Sequence, residues 1–456
     1  MAKTYFIYEM SDQDIENTIN HYLPIRKQKK DHNGEVFTPQ SLINEMLDKL
    51  PKDVWKNKDY KWLDPANGIG NFPIIAYQKL MNGLQDVIKD KRERSEHIIK
   101  NMLYMVELDP DNIIISKKIF GEDANIFCGD FLSMDLKKVT GIDKFDIIMG
   151  NPPWNDIKEG KREGTNSGSK TLWNKFIKKS LEILNINGIL GFINPANWRG
   201  LGQLHYLWDI ISKLQLLYLH IYSKEKDGKK YFNVASRFDL YVLQNKSNTK
   251  QTEIIDELGE KHLIKIDEWP FLPNYNYKIF EKILTSEDKG IDVLYGTNYH
   301  TQKKQIIKDK KTLTSEDKGI DIIYSSSIYD TRKLKDKNTS EFKYPVVHCI
   351  RKGEVIYWYS NTDKKGHFGE PKVILNFNRN QYSHKEQNDY EGKLGMSQIS
   401  FGIPIKSKQE GDDILKAINT PEFKEIILST KWGAFQTDYR MFKYFKKDFW
   451  ELISLG

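Results

Sequence analysis

The chain has 456 residues, 39% of them hydrophobic and 29% charged, which fits roughly two or three globular domains and excludes a disordered tail. No apolar run reaches the ~20 residues that a membrane-spanning helix needs, and no secretion signal is visible at the amino terminus. The net charge of +7 permits a polyanionic partner without demanding one. The two cysteines, Cys128 and Cys349, exclude a disulfide scaffold and favour a reducing, cytoplasmic location.

The first half of the chain alternates predicted helices and strands. A polar helix is predicted over 11–30, a second helix begins near Pro39, and further helices are predicted over 72–81 and 171–184. Buried strand patterns occur at 61–64, 101–108, 125–128, 145–149, 188–194 and 238–243. This alternation predicts an α/β fold with a doubly wound parallel sheet.

The second half of the chain has a different texture. A cluster of Ser, Thr, Asn and Lys at 245–252 is typical of a linker, and short strand patterns follow at 354–359 and 372–377. The segment Leu-Thr-Ser-Glu-Asp-Lys-Gly-Ile-Asp occurs at both 284–292 and 313–321, which indicates a local tandem duplication. We therefore predict three regions: a helical extension over 1–30, an α/β domain over 31–248 and a mixed α+β domain over 249–456.

The sharpest chemical signal is Asn151-Pro152-Pro153-Trp154, which follows a buried strand and a turn. Consecutive prolines fix the backbone and leave carbonyl groups free to accept hydrogen bonds, and the asparagine adds an amide oxygen. The tryptophan adds a flat stacking surface. Two acceptors beside an aromatic plate suit an amino group on a planar ring, and the alternative is a rigid turn that merely ends a strand.

Three acidic signals follow the first three predicted strands in order. Asp64 precedes a glycine-rich turn in which Gly68 lets the backbone approach a ligand. Glu107 ends the second strand, where a carboxylate can accept both ribose hydroxyls of a nucleoside. Asp130, beside Phe131, is placed to accept from an adenine amino group. Each acidic residue alone could cap a loop, but their order indicates a nucleoside site, and no lysine–hydroxyl pair marks a phosphate-binding loop.

With Phe37-Thr38-Pro39 ahead of these motifs, the sequence resembles the adenine-specific DNA methyltransferases of the gamma arrangement. In that family the cofactor region precedes the catalytic motif, and a target-recognition domain ends the chain. The resemblance covers about residues 30–250 well and the remainder only in layout. It implies a Rossmann-like methyltransferase sheet, S-adenosylmethionine as cofactor, and direct in-line methyl transfer to the 6-amino nitrogen of an adenine flipped out of double-stranded DNA.

The same resemblance assigns roles to individual residues. It places the target adenine against the motif 151–154, with Trp154 stacking on the base and no metal required. Phe232 is the candidate for a second stacking aromatic, and Phe238 is the fallback. The residues implied to line the cofactor are Phe37, Thr38, Pro39, Asp64, Ala66, Gly68, Glu107, Asp130, Phe131 and Asn151.

Other classes of protein remain open at this stage. Methylases of RNA guanine or of a release-factor glutamine share the catalytic motif, but they leave residues 251–456 without a purpose. A fused restriction enzyme that also cleaves DNA needs a nuclease domain, for which about 30 preceding residues leave little room, and a non-catalytic DNA-binding subunit would not bind the cofactor. The leading hypothesis implies a monomer and permits a separate cognate restriction endonuclease. The aromatic and basic stretch 431–450 is either a DNA-facing surface or a segment packed on the core.

Overall fold

The computed structural model describes most of the chain, and its residues fall into two compact units. The described residues are 37–155, 171–285, 336–351, 354–376, 388–397, 400–433 and 438–454, together with 7, 17, 323 and 324. The first unit comprises Met1–Ala196 and Asp209–Ile266, and the second comprises Asn197–Trp208 and Asp267–Gly456. The predicted helix over 11–30 and the repeated segment lie almost entirely outside the described residues.

A nine-stranded sheet forms the centre of the first unit. Its strands are β1 (Trp62–Asp64), β2 (Leu103–Glu107), β3 (Asn125–Cys128), β4 (Phe145–Gly150), β5 (Leu184–Pro195), β6 (Leu214–Tyr222), β7 (Phe238–Ser247), β8 (Thr252–Ile255) and β9 (Lys261–Ile264). They lie in the order β3-β2-β1-β4-β5-β7-β6-β8-β9, with β1 to β5 parallel. The order reverses between β1 and β4, and open α/β sheets bind ligands at such a reversal, beyond the carboxyl ends of the strands.

Helices precede and connect these strands. They are α1 (Gln40–Asp48), α2 (Asn71–Gly83), α3 (Lys91–His97), α4 (Pro110–Phe120), α5 (Leu136–Thr140), α6 (Trp173–Glu182), α7 (His205–Ile211) and α8 (Lys229–Phe232). Short 3₁₀ and π helices lie at Lys52–Lys56, Ile98–Met102, Ala196–Arg199, Lys224–Gly228, Ile266–Glu268 and Tyr439–Tyr444. Every residue of β1 and β2 is buried, as expected when both faces of a parallel sheet are covered. Among the helices that the structure describes, none is both long and apolar enough to cross a bilayer.

The predicted α/β class is confirmed, and the sheet differs from the prediction in its last strands. Strand β7 runs antiparallel to both of its neighbours, β5 and β6. The connection over 223–237 returns the chain beside β6 in the opposite direction, so the two strands pair as neighbours. Strand β6 was not predicted from the sequence, because its buried positions do not alternate strictly.

The sheet also continues past the predicted linker. Residues 245–252 hold the end of β7 and the start of β8, and β8 pairs in parallel with β6 before turning back as β9. This pairing covers the free edge of β6. The boundary between the compact units therefore lies after Ile266, later than the predicted position at 248.

The second unit is a mixed α+β structure, as predicted. Its strands are β10 (Ile323–Tyr324), β11 (Tyr344–Arg351), β12 (Glu354–Ser360), β13 (Lys372–Asn376), β14 (Asn388–Asp389), β15 (Gly395–Met396) and β16 (Ser400–Pro404). They form two sheets in the orders β10-β16-β13-β14 and β12-β11-β15. Its helices are α9 (Tyr277–Ile283), α10 (Lys408–Ile418), α11 (Pro421–Ser429) and α12 (Phe449–Ser454).

The aromatic side chains that the structure describes in the stretch 431–450 belong to the core of the second unit. Phe442, Phe445 and Phe449 are fully buried, and Trp432 is only 5% exposed. The indole Nε1 of Trp432 donates to the carbonyl oxygen of Leu272 at 2.5 Å. Of the two alternatives left open by the sequence, the structure shows the packed segment.

Candidate functional site

The turn after β1 places the glycine motif at the carboxyl edge of the sheet. Gly68 and Gly70 have φ angles of 58° and 99°, in the region that favours glycine. A Cβ on Gly70 would lie 2.7 Å from the ring of Phe120, whereas a Cβ on Gly68 would meet nothing within 4 Å. Packing against Phe120 therefore requires glycine at position 70, whereas Gly68 borders open space that a ligand can fill.

Asn67 ties this turn to its neighbours. Its backbone N–H donates to the carbonyl oxygen of Val106 in β2 at 2.9 Å, and its side-chain Nδ2 donates to Ser116 Oγ in α4 at 2.9 Å. The side chain is 4% exposed. The glycine turn is thus held in place by the sheet on one side and by a helix on the other.

Glu107 is preorganised at the end of β2. Its Oε2 accepts the Gly68 N–H at 2.7 Å, and its Oε1 accepts the Asp109 N–H at 2.8 Å and Asn112 Nδ2 at 3.2 Å. An ionised carboxylate has about four acceptor positions, so at least three are in use. A ligand with two hydroxyl donors would compete with the longest of these bonds, the one from Asn112.

Asp64 is a buried carboxyl group with one unpartnered oxygen. Its Oδ1 accepts the Ala66 N–H at 3.0 Å, while Oδ2 is buried and has no hydrogen-bond partner among the described residues. Burial raises the pKa of Asp64 to about 8; the Ala66 bond opposes this shift and the charge of Glu107 adds to it. Near neutral pH the carboxyl group is therefore largely protonated, and a cation beside it would favour its ionised form.

The third acidic motif turns its two side chains in different directions. Asp130 is exposed and accepts from the Leu132 N–H and from Ser133 Oγ, both at 3.0 Å. Phe131 is 2% exposed and stacks on Phe176 of α6, with ring centroids 5.1 Å apart. The structure leaves Asp130 accessible to a ligand and uses Phe131 for packing between β3 and α6.

The motif 151–154, which the sequence predicts to be catalytic, begins where β4 ends. Asn151 is half-buried; its Nδ2 donates to Thr38 Oγ1 at 3.0 Å, and its Oδ1 accepts from Trp154 Nε1 at 3.1 Å. Pro152 is buried and Pro153 is exposed. Thr38, 4% exposed, lies just before α1, so the structure brings the motif 37–39 to the catalytic motif.

The candidate stacking aromatics lie together. Trp154 packs edge-on against Phe232 with centroids 5.4 Å apart, and it lies 6.3 Å from Phe238. Phe232 is 1% exposed and Phe238 is fully buried, and their rings lie 4.8 Å apart. Because the edge of Trp154 covers Phe232, a base could stack on Phe232 only by displacing the Trp154 ring.

A polar network behind these aromatics was not identified from the sequence. Glu45 of α1 accepts from Tyr218 OH at 2.9 Å, from His220 Nδ1 at 2.5 Å and from Tyr222 OH at 2.5 Å. The ring of Tyr222 in turn stacks on Phe238, with centroids 4.5 Å apart. These three polar residues occupy every second position of β6, which places them on one face of the strand. This spacing was the feature of the sequence from which the network could have been predicted.

An exposed leucine beside the acidic residue of β2 was also overlooked. Leu108 directly follows Glu107 and is 69% exposed. Exposed single leucines are common, but this one adds apolar surface next to a carboxylate suited to a nucleoside. The signal was an apolar side chain placed immediately after a strand-ending acid.

A second cluster of titratable groups closes the β8–β9 turn. Ligand-capable atoms of Asp256, Glu260 and His262 lie within 4.8 Å of one another. Asp256 accepts from the backbone N–H groups of Leu258 and Glu260 and pairs with His262 Nε2 at 2.9 Å. These hydrogen bonds stabilise the turn, and they explain why the three side chains lie together.

Comparison with known proteins finds a family match for the central part of the chain. Residues 74–227 match the family described as Eco57I restriction-modification methylase. An uncharacterized adenine-specific methylase of Mycoplasma pneumoniae is 26% identical over 36% of this chain and 56% of its own length. The modification methylase CviBIII of Paramecium bursaria Chlorella virus NC1A is 25% identical over 56% of this chain and 60% of its own. Thus the chain spans less than two thirds of either relative.

A solved structure resembles a larger part of the chain at low similarity. The Type IIL restriction-modification enzyme MmeI, solved in complex with DNA, is 13% identical, with a TM-score of 0.49, over 96% of this chain and 69% of that chain.

The strand order defines the class of fold: a doubly wound, Rossmann-like α/β sheet with the motifs at the carboxyl ends of β1, β2 and β4. Within this fold, residues 74–227 are similar to restriction-modification methylases, and the relative from Mycoplasma pneumoniae is described as an adenine-specific methylase.

Proposed function

We propose that this chain is a site-specific DNA methyltransferase that transfers a methyl group from S-adenosylmethionine to the 6-amino nitrogen of adenine. The observation that carries this proposal is the geometry of Asn151. Its amide oxygen accepts a hydrogen bond from the indole N–H of Trp154, so it already faces a donor beside an aromatic ring. Asn151 follows β4, and the glycine turn follows β1, the strand paired with β4. The match to restriction-modification methylases supports the same conclusion.

The residues present fit the proposed cofactor. The unpartnered Oδ2 of Asp64 suits the cofactor's ammonium group, since a cation is what a buried carboxylate needs in order to ionise. Glu107 would hold the ribose, and the exposed Leu108 and Asp130 would border the adenine ring and its amino group. Gly68 leaves room for close approach of the ligand. When bound, S-adenosylmethionine would supply an electrophilic methyl group.

The chain's own residues would act on the target base. The lone pair of an adenine amino nitrogen is delocalised into the ring, and the base lies inside a duplex. Extrusion of the base costs a few kcal/mol, which stacking on Trp154 would partly offset. Hydrogen bonds from the amino group to Asn151 Oδ1 and the Pro152 carbonyl would favour a tetrahedral nitrogen. These fixed acceptors would stabilise the positive charge that builds on the nitrogen, most strongly in the transition state.

The second unit is proposed to recognise the DNA target. It has its own hydrophobic core and two sheets, which the catalytic sheet does not require. This region is what separates the proposal from a methylase of RNA or of a release-factor glutamine. The same proposal implies a monomer in the cytoplasm and permits a separately encoded cognate restriction endonuclease.

The proposal is tested by methylation-aware sequencing of DNA from cells that express the chain. We expect N6-methyladenine at a defined sequence, absent from cells that express Asn151→Ala. Purified protein should transfer label from S-adenosylmethionine to duplex DNA and not to RNA or to a release factor. Methylated RNA or protein with unmethylated DNA would support the corresponding rival, and magnesium-dependent cleavage would add a nuclease function.

A further inference from the structure

We propose that Thr38 is a positioning residue that, together with Trp154, fixes the orientation of the Asn151 carboxamide toward the target amino group. The inference rests on the proposed function. It differs from the role implied by the family resemblance, in which Thr38 lines the cofactor. What motivates it is the pair of hydrogen bonds on the Asn151 side chain, one from each end of the amide.

The direction of the amide follows from donor chemistry. An indole N–H can only donate, so the amide atom that faces Trp154 must be the oxygen. The amide nitrogen then faces Thr38 Oγ1, which accepts at 3.0 Å. A hydroxyl oxygen can accept this bond, whereas an aliphatic side chain of the same shape cannot. Trp154 therefore selects the amide orientation, and the Thr38 hydroxyl, which can donate or accept, accepts from the NH2 end and stabilises that orientation.

This orientation is the one that methyl transfer needs. An amide oxygen has two lone pairs, and Trp154 uses one of them, so the other remains for an adenine N–H. If the amide were reversed, its NH2 group would face the amino group of the base, and two donors cannot bond. Thr38 is 4% exposed and holds the NH2 end away from the base.

Burial makes Thr38 a firm partner. A half-buried amide that loses its acceptor carries part of a desolvation penalty, so the buried Thr38 hydroxyl adds to the hold that Trp154 has on Asn151. The bond also joins the segment before α1 to the end of β4 across 113 residues of sequence. The position of the segment 37–39 thus serves the catalytic asparagine directly.

The first experiment compares Thr38→Val, Thr38→Ser and a matched control, Thr140→Val. Thr140 is a partly buried threonine of the same unit whose hydroxyl bonds to Leu136 at the end of α5. We expect Thr38→Val to slow single-turnover methyl transfer to a DNA duplex by about tenfold, the size of one net hydrogen bond. Calorimetric affinity for S-adenosylmethionine should stay within a few-fold. Thr38→Ser should recover most of the rate, and Thr140→Val should leave it unchanged.

A double-mutant cycle tests the pairing with Trp154. Because Thr38 and Trp154 bind opposite ends of one amide, the rate loss of the double variant Thr38→Val/Trp154→Phe should depart from the product of the single losses. Losses that simply multiply would overturn the shared orientation. Should Thr38→Val not fold, Thr38→Ala removes the same acceptor and carries the same expectation.

Other results would overturn the assignment. A fall in S-adenosylmethionine affinity equal to the fall in rate would make Thr38 a cofactor ligand instead. An unchanged rate in Thr38→Val would remove it from the site. If the unmodified chain transferred no methyl group to any DNA, the proposed function itself would fail. That outcome is distinguishable, because the other two require an active unmodified chain.

Discussion

At the scale of single residues, hydrogen-bond direction decides what Asn151 can do. The sequence places an acceptor amide beside two prolines and an aromatic ring, and the structure adds that its oxygen faces Trp154 and its nitrogen faces Thr38. An acceptor held in this way costs no reorganisation when charge develops on a bound amino group. In the proposed reaction, Asn151 would therefore stabilise the transition state more than the bound substrate.

Asn151→Ala is expected to reduce methyl transfer by roughly 10²–10³-fold, the loss typical of one preorganised polar group at a reacting centre. S-Adenosylmethionine affinity, measured by calorimetry, should remain within a few-fold. The exposed Asn101, changed to Ala, serves as the control and should keep full activity. Equal losses of rate and of cofactor affinity would contradict the role given to Asn151.

Asp64 is a buried carboxyl group whose ionisation lowers the stability of the fold. Burial raises its pKa to about 8, whereas an unfolded chain ionises the same group near pH 4. The folded state therefore holds a proton that the unfolded state releases. The contribution to stability is full below about pH 4 and is lost progressively as pH rises to about 8.

Asp64→Asn should consequently gain stability relative to the unmodified chain as pH rises. The expected difference between pH 5 and pH 8 is on the order of a few kcal/mol in the free energy of unfolding. Urea titrations of both ligand-free proteins across this pH range measure it. A stability difference that does not change with pH would show that Asp64 ionises at its ordinary pKa.

At the scale of elements, α1 and β6 are joined through one carboxylate. Burial works against ionisation of Glu45, but hydrogen bonds from His220 and two tyrosines outweigh it and lower the pKa of Glu45. Burial and the charge of Glu45 raise the pKa of Tyr222. Tyr222 also stacks on Phe238, so the network supports the aromatic cluster next to Trp154.

Tyr222→Phe should lower the free energy of unfolding by about 1.5–3 kcal/mol, because it removes one hydrogen bond to a charged group. Tyr60→Phe is the matched control, since no carboxylate among the described residues is paired with that half-buried hydroxyl. Chemical denaturation of the two variants makes the comparison. Equal effects would mean that Glu45 gains nothing from the Tyr222 hydroxyl.

At the scale of the whole molecule, the two compact units have separate cores. Phe442, fully buried, lies in the core of the second unit with its ring 5.3 Å from Phe401 and 5.1 Å from Phe445. None of these residues belongs to the hydrophobic core of the first unit. Damage to one core should therefore appear first in its own unit.

Phe442→Ala is expected to destabilise the second unit by about 3–5 kcal/mol, the usual cost of a large cavity. Limited proteolysis should then cleave first within 267–456, while S-adenosylmethionine binding persists. The surface change Lys447→Ala, in the same segment, should leave the cleavage pattern unaltered. If Phe442→Ala were cleaved first within the first unit, the two cores would not be independent.

The sequence by itself determined what depends on local order. Strand patterns predicted β1, β3 and β4 closely, because buried parallel strands are short apolar runs, and the motifs after them carry chemistry in their residue types. The antiparallel β7, the extension of the sheet through β9 and the packing of 431–450 required the tertiary structure. These features depend on which distant strand a segment pairs with, or which core it packs into. The local pattern of residues in the segment does not specify that partner.

The same division holds at the site. Asn151 and Trp154 could be named from four consecutive residues, as could Glu107 from its place after a strand. Only the fold decided that Thr38 bonds to Asn151 and that Glu45 gathers three side chains of β6. Those contacts join residues more than a hundred positions apart, and their existence depends on the direction and burial of each side chain, which only the packed chain defines.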